Sequence, residues 1–235
     1  MLDILYEDQE LVAINKPAGL LVHRTSMAAE EKTQFAVQNL RDQIGTRVYP
    51  VHRIDRPTSG VLLFSKNSEI LPQLKAQFAN REVSKKYLAL VRGFFLENEG
   101  RVNHPLENER SKKLQEAITH FRVLAEKEIP YDTTGRYPTS RYSLVEMSPL
   151  TGRTHQIRRH LAHLRHYIIG DKKHGNNKQN QFFFKEFGLE NLLLHAFKLE
   201  LTHPRTNQKL RLEATLPAHF RTILLKIDLN SDLIQ

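Results

Sequence analysis

Cysteine is absent from the 235 residues, which excludes a disulfide framework and any thiolate metal ligand. No uninterrupted apolar run approaches the length of a membrane span, and the start, MLDILYEDQE, is acidic where a secretory signal is basic. Low-complexity tracts and internal repeats are also missing. There is no HExxH. His160 and His163 share a helical spacing, but histidines set among arginines contact phosphate or solvent more often than a metal. These absences leave a cytoplasmic globule without membrane or metal as the expectation. At 40% hydrophobic and 26% charged residues the chain has the composition of a folded core with a polar surface. Its length suits a single domain over 1–235, and a monomer is expected.

Basic residues are in excess. Lys and Arg number 35 against 26 Asp and Glu, a formal charge of +9, and a polyanionic partner is favoured. The excess is local: from Arg136 to Lys178 nine Lys and Arg face only Glu146 and Asp171. That stretch also holds five of the 12 histidines and is a candidate phosphate-binding region.

Hydrophobic spacing predicts a hairpin from Ile4–Tyr6 and Leu11–Ile14, ending at Asn15-Lys16-Pro17. Val37, Leu40 and Ile44 predict a helix over 32–44, and Ile70, Leu71, Leu74 and Phe78 predict one after Ser68 as N-cap. VHRIDRPTSGVLLFSKN reads as strand, loop, strand; Lys86–Arg92 as a strand; and His155–Leu164 as a helix with Ile157, Leu161 and Leu164 inward. Phe197, Leu199 and Leu201, then Leu210, Leu212 and Ala214, alternate with polar residues and form a second hairpin. The polar stretches Glu97–Glu116 and Tyr131–Arg141 read as loops within one domain. Together these elements predict an α+β fold with a mixed, mainly antiparallel sheet flanked by helices.

Three segments carry chemistry. In His52-Arg53-Ile54-Asp55-Arg56-Pro57-Thr58-Ser59-Gly60 a carboxylate stands between two arginines, in a loop stiffened by Pro57 and ended by Gly60. Flanking guanidiniums favour the ionised form, which suits a nucleophile or an electrostatic stabiliser. An isolated RxDR is more often a surface ion cluster, so its weight depends on the other two segments. Thr151-Gly152-Arg153-Thr154-His155-Gln156-Ile157-Arg158-Arg159-His160 is a turn opening a basic helix, an arrangement that binds phosphate. Lys85-Lys86-Tyr87 sets an aromatic ring beside two lysines at the start of a strand, readable as core packing or as a stacking platform for a base.

HRIDRPTSG, KKYLALVRG and GRTHQIRRHLAHLRHYIIGD resemble three successive signatures of the RluA-type pseudouridine synthases. The likeness runs from ILYED…LVAINKPAGLLVH to LLLHAFKLELTHP, with no S4-type RNA-binding extension. TGRYPTSRY, RRHLAHLRH and KHGNNKQN most resemble the branch that modifies uridine 65 in the T stem of tRNA. The resemblance implies the pseudouridine synthase catalytic fold with a central cleft, Asp55 as catalytic aspartate, Tyr87 as the ring that stacks on the target base, and Arg158 as the basic partner of Asp55. Arg53 corresponds to the arginine that enters the RNA stack as the base leaves it. With Arg56, the basic stretch supplies further expected RNA contacts: Arg136, Arg141, Arg153, His155, Gln156, Arg159, Lys172 and Lys173.

The implied reaction breaks N1–C1′, turns the uracil and rejoins it through C5, with no change of redox state, so no cofactor is expected. Asp55 adds to C6, attacks C1′ or assists loss of the C2′ proton; the residues do not choose among these routes. A paired uridine must first be extruded from its stem, which costs a few kcal/mol. A non-catalytic RNA-binding protein is the alternative from another class, and a glycosidic-bond hydrolase would call for a second carboxylate. The same chemistry on ribosomal RNA or another tRNA site is the alternative within the family.

Overall fold

A computed structural model describes residues 1–23, 35–133 and 135–229. Strands β1 (Asp3–Glu7) and β2 (Leu11–Lys16) precede helix α1 (Ala36–Ile44), then β3 (Tyr49–Pro50), β4 (Ser59–Ser65) and α2 (Leu71–Ala79). Next come β5 (Ser84–Arg92), β6 (Glu99–Asn103), β7 (Leu106–Glu107), β8 (Leu114–Gln115), β9 (Ile118–Ile129) and β10 (Ser140–Pro149). Helices α3 (Gln156–His163) and α4 (Asn177–Phe187), strands β11 (Leu194–Thr202) and β12 (Lys209–Glu213), and α5 (Ala218–Lys226) complete the order. This is the expected α+β content. Positions 32–34 of the helix expected over 32–44, Thr134 of the TGRYPTSRY segment and the tail from 230 lie outside the described residues.

The chain divides into two compact units: Met1–Lys85 with Ala196–Thr215, and Lys86–His195 with the segment from Leu216. In the first, β1 pairs antiparallel with β2, and β2 with β4 from Leu11↔Ser65 to Lys16↔Gly60. β11 lies on the other side of β4 and forms the predicted C-terminal hairpin with β12. The runs LVAI of β2 and VLLF of β4 are apolar at every position because both faces are covered. Leu11, Ala13, Val61 and Leu63 pack with Ile70, Leu74 and the apolar side of the β11–β12 hairpin. Val12, Ile14, Leu62 and Phe64 pack with Ala36 and Leu40 of α1. Each of the Val, Leu, Ile and Phe side chains among these gains roughly 1.5–3 kcal/mol on burial. Strand β4, which follows the Asp55 loop, and its partner β2 are therefore firmly anchored.

Ser68 is not the cap of α2. The helix begins at Leu71, its N-cap Ile70 makes no side-chain hydrogen bond, and Pro72 sits in the first turn. Asn67 Oδ1 accepts from the Glu69 N–H (2.9 Å), so an Asx turn leads into the helix and proline fixes where it starts.

In the second unit β5, β10, β9 and β6 run side by side, all antiparallel. Ala89, Val91, Val145 and Met147 face Ile157 and Leu161 of α3, so the sheet carries the basic helix on one face. Leu164, expected to point inward, is only half-buried. The stretch Glu97–Glu116 is not a plain loop. It supplies β6 and the β7–β8 hairpin, whose turn is closed by Asn108 Oδ1 accepting from the N–H groups of Arg110 and Ser111 (both 3.0 Å). Polar turn formers there make a hairpin and not an excursion.

Candidate active site

Asp55 sits half-buried in the loop between β3 and β4, in the first unit. The loop is fixed at both ends. Val51 N–H donates to Leu63 O (3.1 Å), and Leu63 N–H donates to His52 Nε2 (3.1 Å). The His52 ring stacks on Phe78 at 4.9 Å, and burial, with Lys85 nearby, pushes its pKa down to about 3. A neutral ring that accepts from the backbone is thus the stable state. Thr58 N–H closes a turn onto Asp55 O (3.0 Å). At the far end Gly60 has φ +113° and lies so close to β11 that a Cβ would stand 2.2 Å from Ala196 O. No other residue fits there, since the contact is with backbone and not with a movable side chain.

Lys16, at the end of β2, is fully buried and was not singled out by sequence reasoning. Its Nζ donates to Pro17 O (2.7 Å), Leu20 O (2.9 Å) and Arg56 O (3.1 Å), tying the Pro17–Leu20 turn to the loop that carries Asp55. Burial pushes the ammonium down to about 7, while the nearby Asp55 carboxylate favours the charge. Three carbonyl acceptors call for three N–H donors, so the geometry favours the charged form. Arg56 adds a second tie: its N–H and O bracket Gly19 through Gly19 N–H to Arg56 O (2.8 Å) and Arg56 Nε to Gly19 O (3.0 Å). Arg53 and Arg56 are both exposed beside Asp55. The signal available in the sequence was the NKPAG turn: a lysine at the end of an apolar strand, next to a proline and a glycine.

The second unit holds Tyr87 and Arg158. Tyr87 lies in β5 opposite Met147, half-buried against the core that carries α3. Arg158 is buried in α3 and forms a bidentate pair with Asp171, Nε–Oδ2 and Nη2–Oδ1 both at 2.8 Å. Burial works to raise the Asp171 carboxyl, but Arg158 and the N–H groups of His174 and Lys173 outweigh it and hold it below the usual range. Two parallel hydrogen bonds to a buried carboxylate fix the guanidinium plane.

The remaining predicted contacts separate into groups. Gln156 is buried, and its amide orders the turn into α3: Oε1 accepts from Thr151 Oγ1 (2.7 Å) and Arg153 N–H (3.0 Å), while Nε2 donates to Ile118 O and Thr119 Oγ1. His155 caps α3 in the left-handed region, φ 54°, with Nδ1 2.9 Å from His174 Nε2. Arg153 and Arg159 reach backbone carbonyls of Glu116 and Glu107, Lys173 pairs with Glu109, and Lys172 is exposed. Arg136 and Arg141 belong to another part of this unit: Arg136 lies before β10, and Arg141 lies near the start of that strand, where it meets Glu128. Among the described residues no group of three or more His, Asp or Glu is placed to hold a metal ion, and no helix is long and apolar enough to cross a membrane.

Comparison with known proteins places these residues in a family. A family model described as RNA pseudouridylate synthase matches residues 10–163, which include Asp55, Tyr87 and Arg158. Relatives named tRNA pseudouridine synthase C are 46% identical in Vibrio parahaemolyticus, covering 100% of this chain and 98% of the relative, and 50% identical in Salmonella typhimurium, covering 92% and 86%. Among solved structures, human RNA Pseudouridylate Synthase Domain Containing 4 aligns with a TM-score of 0.73 and 26% identity over 96% of this chain and 93% of that one. Human RNA Pseudouridylate Synthase Domain Containing 1, at 22% identity and a TM-score of 0.71 over 98% and 96%, shares the fold. The chain belongs to the RNA pseudouridylate synthase family, enzymes that isomerise uridine within RNA to pseudouridine.

Proposed function

We propose that this enzyme acts on tRNA, converting uridine 65 of the T stem to pseudouridine, as a cytoplasmic monomer with a single catalytic domain. The observation that carries the tRNA assignment is the near-full-length similarity, at 46–50% identity, to relatives named tRNA pseudouridine synthase C. Position 65 rests on the likeness of TGRYPTSRY, RRHLAHLRH and KHGNNKQN to that branch. Asp55 is the catalytic carboxylate, held in a loop braced by Lys16, His52 and Gly60. Tyr87 stacks on the uracil, and Arg158, its plane already fixed by Asp171, serves as the basic partner of Asp55. Arg53 fills the gap left by the base.

The chemistry needs a carboxylate that stays ionised, a dry pocket for the detached uracil and an RNA held while it turns. Stacking on Tyr87 contributes roughly 1–3 kcal/mol toward the cost of extrusion. Phosphate contacts from Arg56, Arg136, Arg141, Arg153, His155, Arg159, Lys172 and Lys173 supply more, and make affinity fall steeply with salt. Mapping pseudouridine in total RNA from cells with and without this gene tests the address. Loss confined to tRNA position 65 is expected; loss in ribosomal RNA or at another tRNA position overturns it.

A further inference from the structure

Within the second unit, a cleft of about 520 Å³ is lined by Arg92, Tyr137, Arg141 and Arg165, with His166 at its side. It does not involve Tyr87 or Arg158. One wall is the segment Tyr137–Arg141, part of the TGRYPTSRY stretch; the opposite wall is the chain leaving α3, Leu164–His166. Three guanidiniums line the cleft and no carboxylate does. The acids that meet its lining residues are already occupied. Glu128 takes Arg141 and the Thr139 hydroxyl, and Glu126, which faces His166, accepts from Ser143 Oγ and Phe95 N–H. Arg92 and Arg165 have no carboxylate within ion-pair distance among the described residues.

Two features mark the cleft as built. Arg165 follows α3 with φ 62°, its N–H bonded to Ala162 O and that of His166 to Leu161 O. This is the helix-ending position that glycine fills at least cost, and here a long cationic side chain occupies it. The opposite wall ends in Tyr137, a residue that is 65% exposed. On the other wall His166 stacks on Phe95 at 3.7 Å and binds Arg92 O (3.0 Å), which ties that wall to β5. Unpaired guanidiniums beside an exposed aromatic ring recognise one kind of ligand well: a nucleotide that offers a phosphate and a base face together.

We infer that this cleft holds a nucleotide of the RNA substrate other than the one isomerised, its phosphate on Arg92 and Arg165 and its base against Tyr137. The inference rests on the RNA reading above and deepens it. The segment on which the branch-level likeness depends then forms part of the surface that selects the RNA.

The test is binding of unmodified tRNA transcript by fluorescence anisotropy across a KCl series, in the Asp55→Asn background so that no turnover intervenes. Arg92→Gln with Arg165→Gln should weaken binding about ten-fold and lower the slope of log K against log salt by about 1, for the one phosphate that the pair neutralises. Arg92→Lys with Arg165→Lys should restore the slope. Tyr137→Ala, an exposed change that does not threaten folding, should weaken binding about ten-fold at unchanged slope. In the active background the losses should appear in KM and not in kcat. Unchanged affinity and slope in the glutamine double variant, or unchanged affinity in Tyr137→Ala, overturns the inference. A failure to form pseudouridine in tRNA would strike the proposed function instead, since binding and its salt slope are read without turnover.

Discussion

Two aspartates in this molecule sit close to arginines and do different work. Asp171 is 2% exposed and its acceptor positions are filled by Arg158 and the N–H groups of Lys173 and His174. Asp55 is half-buried in a loop whose fixing bonds run through the backbone, Lys16 and His52, with Arg53 and Arg56 exposed on either side. The difference separates a structural carboxylate from the one we propose as catalytic. Asp171 uses its acceptors on the Arg158 guanidinium and two backbone N–H groups, whereas the loop that carries Asp55 is braced by backbone bonds, Lys16 and His52. Sequence spacing alone does not tell the two apart, because both lie among basic residues.

The sharpest way to break the comparison is to damage each support and read stability separately from turnover. Gly60→Ala should have the largest effect. Its Cβ would meet Ala196 O at 2.2 Å in a backbone of φ +113°, and a loss of more than about 3 kcal/mol in urea unfolding is expected. Arg158→Ala follows, at about 3–5 kcal/mol, because it leaves the buried Asp171 carboxylate unpaired. Near-wild-type stability of that variant would contradict the structural assignment of Asp171. Lys16→Met removes the donor shared by three carbonyls and should cost about 2–3 kcal/mol, with a larger fall in kcat than in tRNA affinity.

The smallest effect concerns His52. Its folded pKa of about 3 lies below the ordinary 6.5, so the unfolded chain binds the extra proton between those values. The stability it contributes is therefore complete above pH 6.5 and is lost as pH falls toward 3, at up to about 1.4 kcal/mol per pH unit. His52→Phe should flatten urea midpoints measured between pH 7 and 5. An unchanged slope would show that His52 does not hold the Asp55 loop in the neutral form.

Much of this was legible in the residues. The runs LVAI and VLLF gave their strands, the alternation from Phe197 to Ala214 gave the last hairpin, and Asp55, Tyr87 and Arg158 stood out with the three signatures. The long β9–β10 hairpin was harder to see, because β9 (ITHFRVLAEKEI) mixes half-buried and charged positions without a clean period of two. Helix α4 escaped because its aromatics, Phe182, Phe183 and Phe187, pack on one another, on Tyr131 and on Tyr142 and not as a simple apolar stripe. Lys16 escaped for a different reason. The NKPAG turn marks a lysine at a strand end, but its burial is set by carbonyls that converge in space, and two of its three acceptors lie in turns whose shape that pattern does not state. Gln156 looked like a phosphate contact because it follows a basic turn, whereas its amide completes that turn from inside.

The most direct test compares Asp55→Asn with Asp171→Asn on the same tRNA transcript, measuring single-turnover pseudouridine formation and binding side by side. Asp55→Asn should bind within a few-fold of wild type, keep its stability and lose at least about 10³-fold in rate. Asp171→Asn should lose stability first and, through the loosened Arg158 plane, lose far less rate per folded molecule than Asp55→Asn. Substantial turnover by a well-folded Asp55→Asn protein would contradict the assignment of the chemistry to that carboxylate.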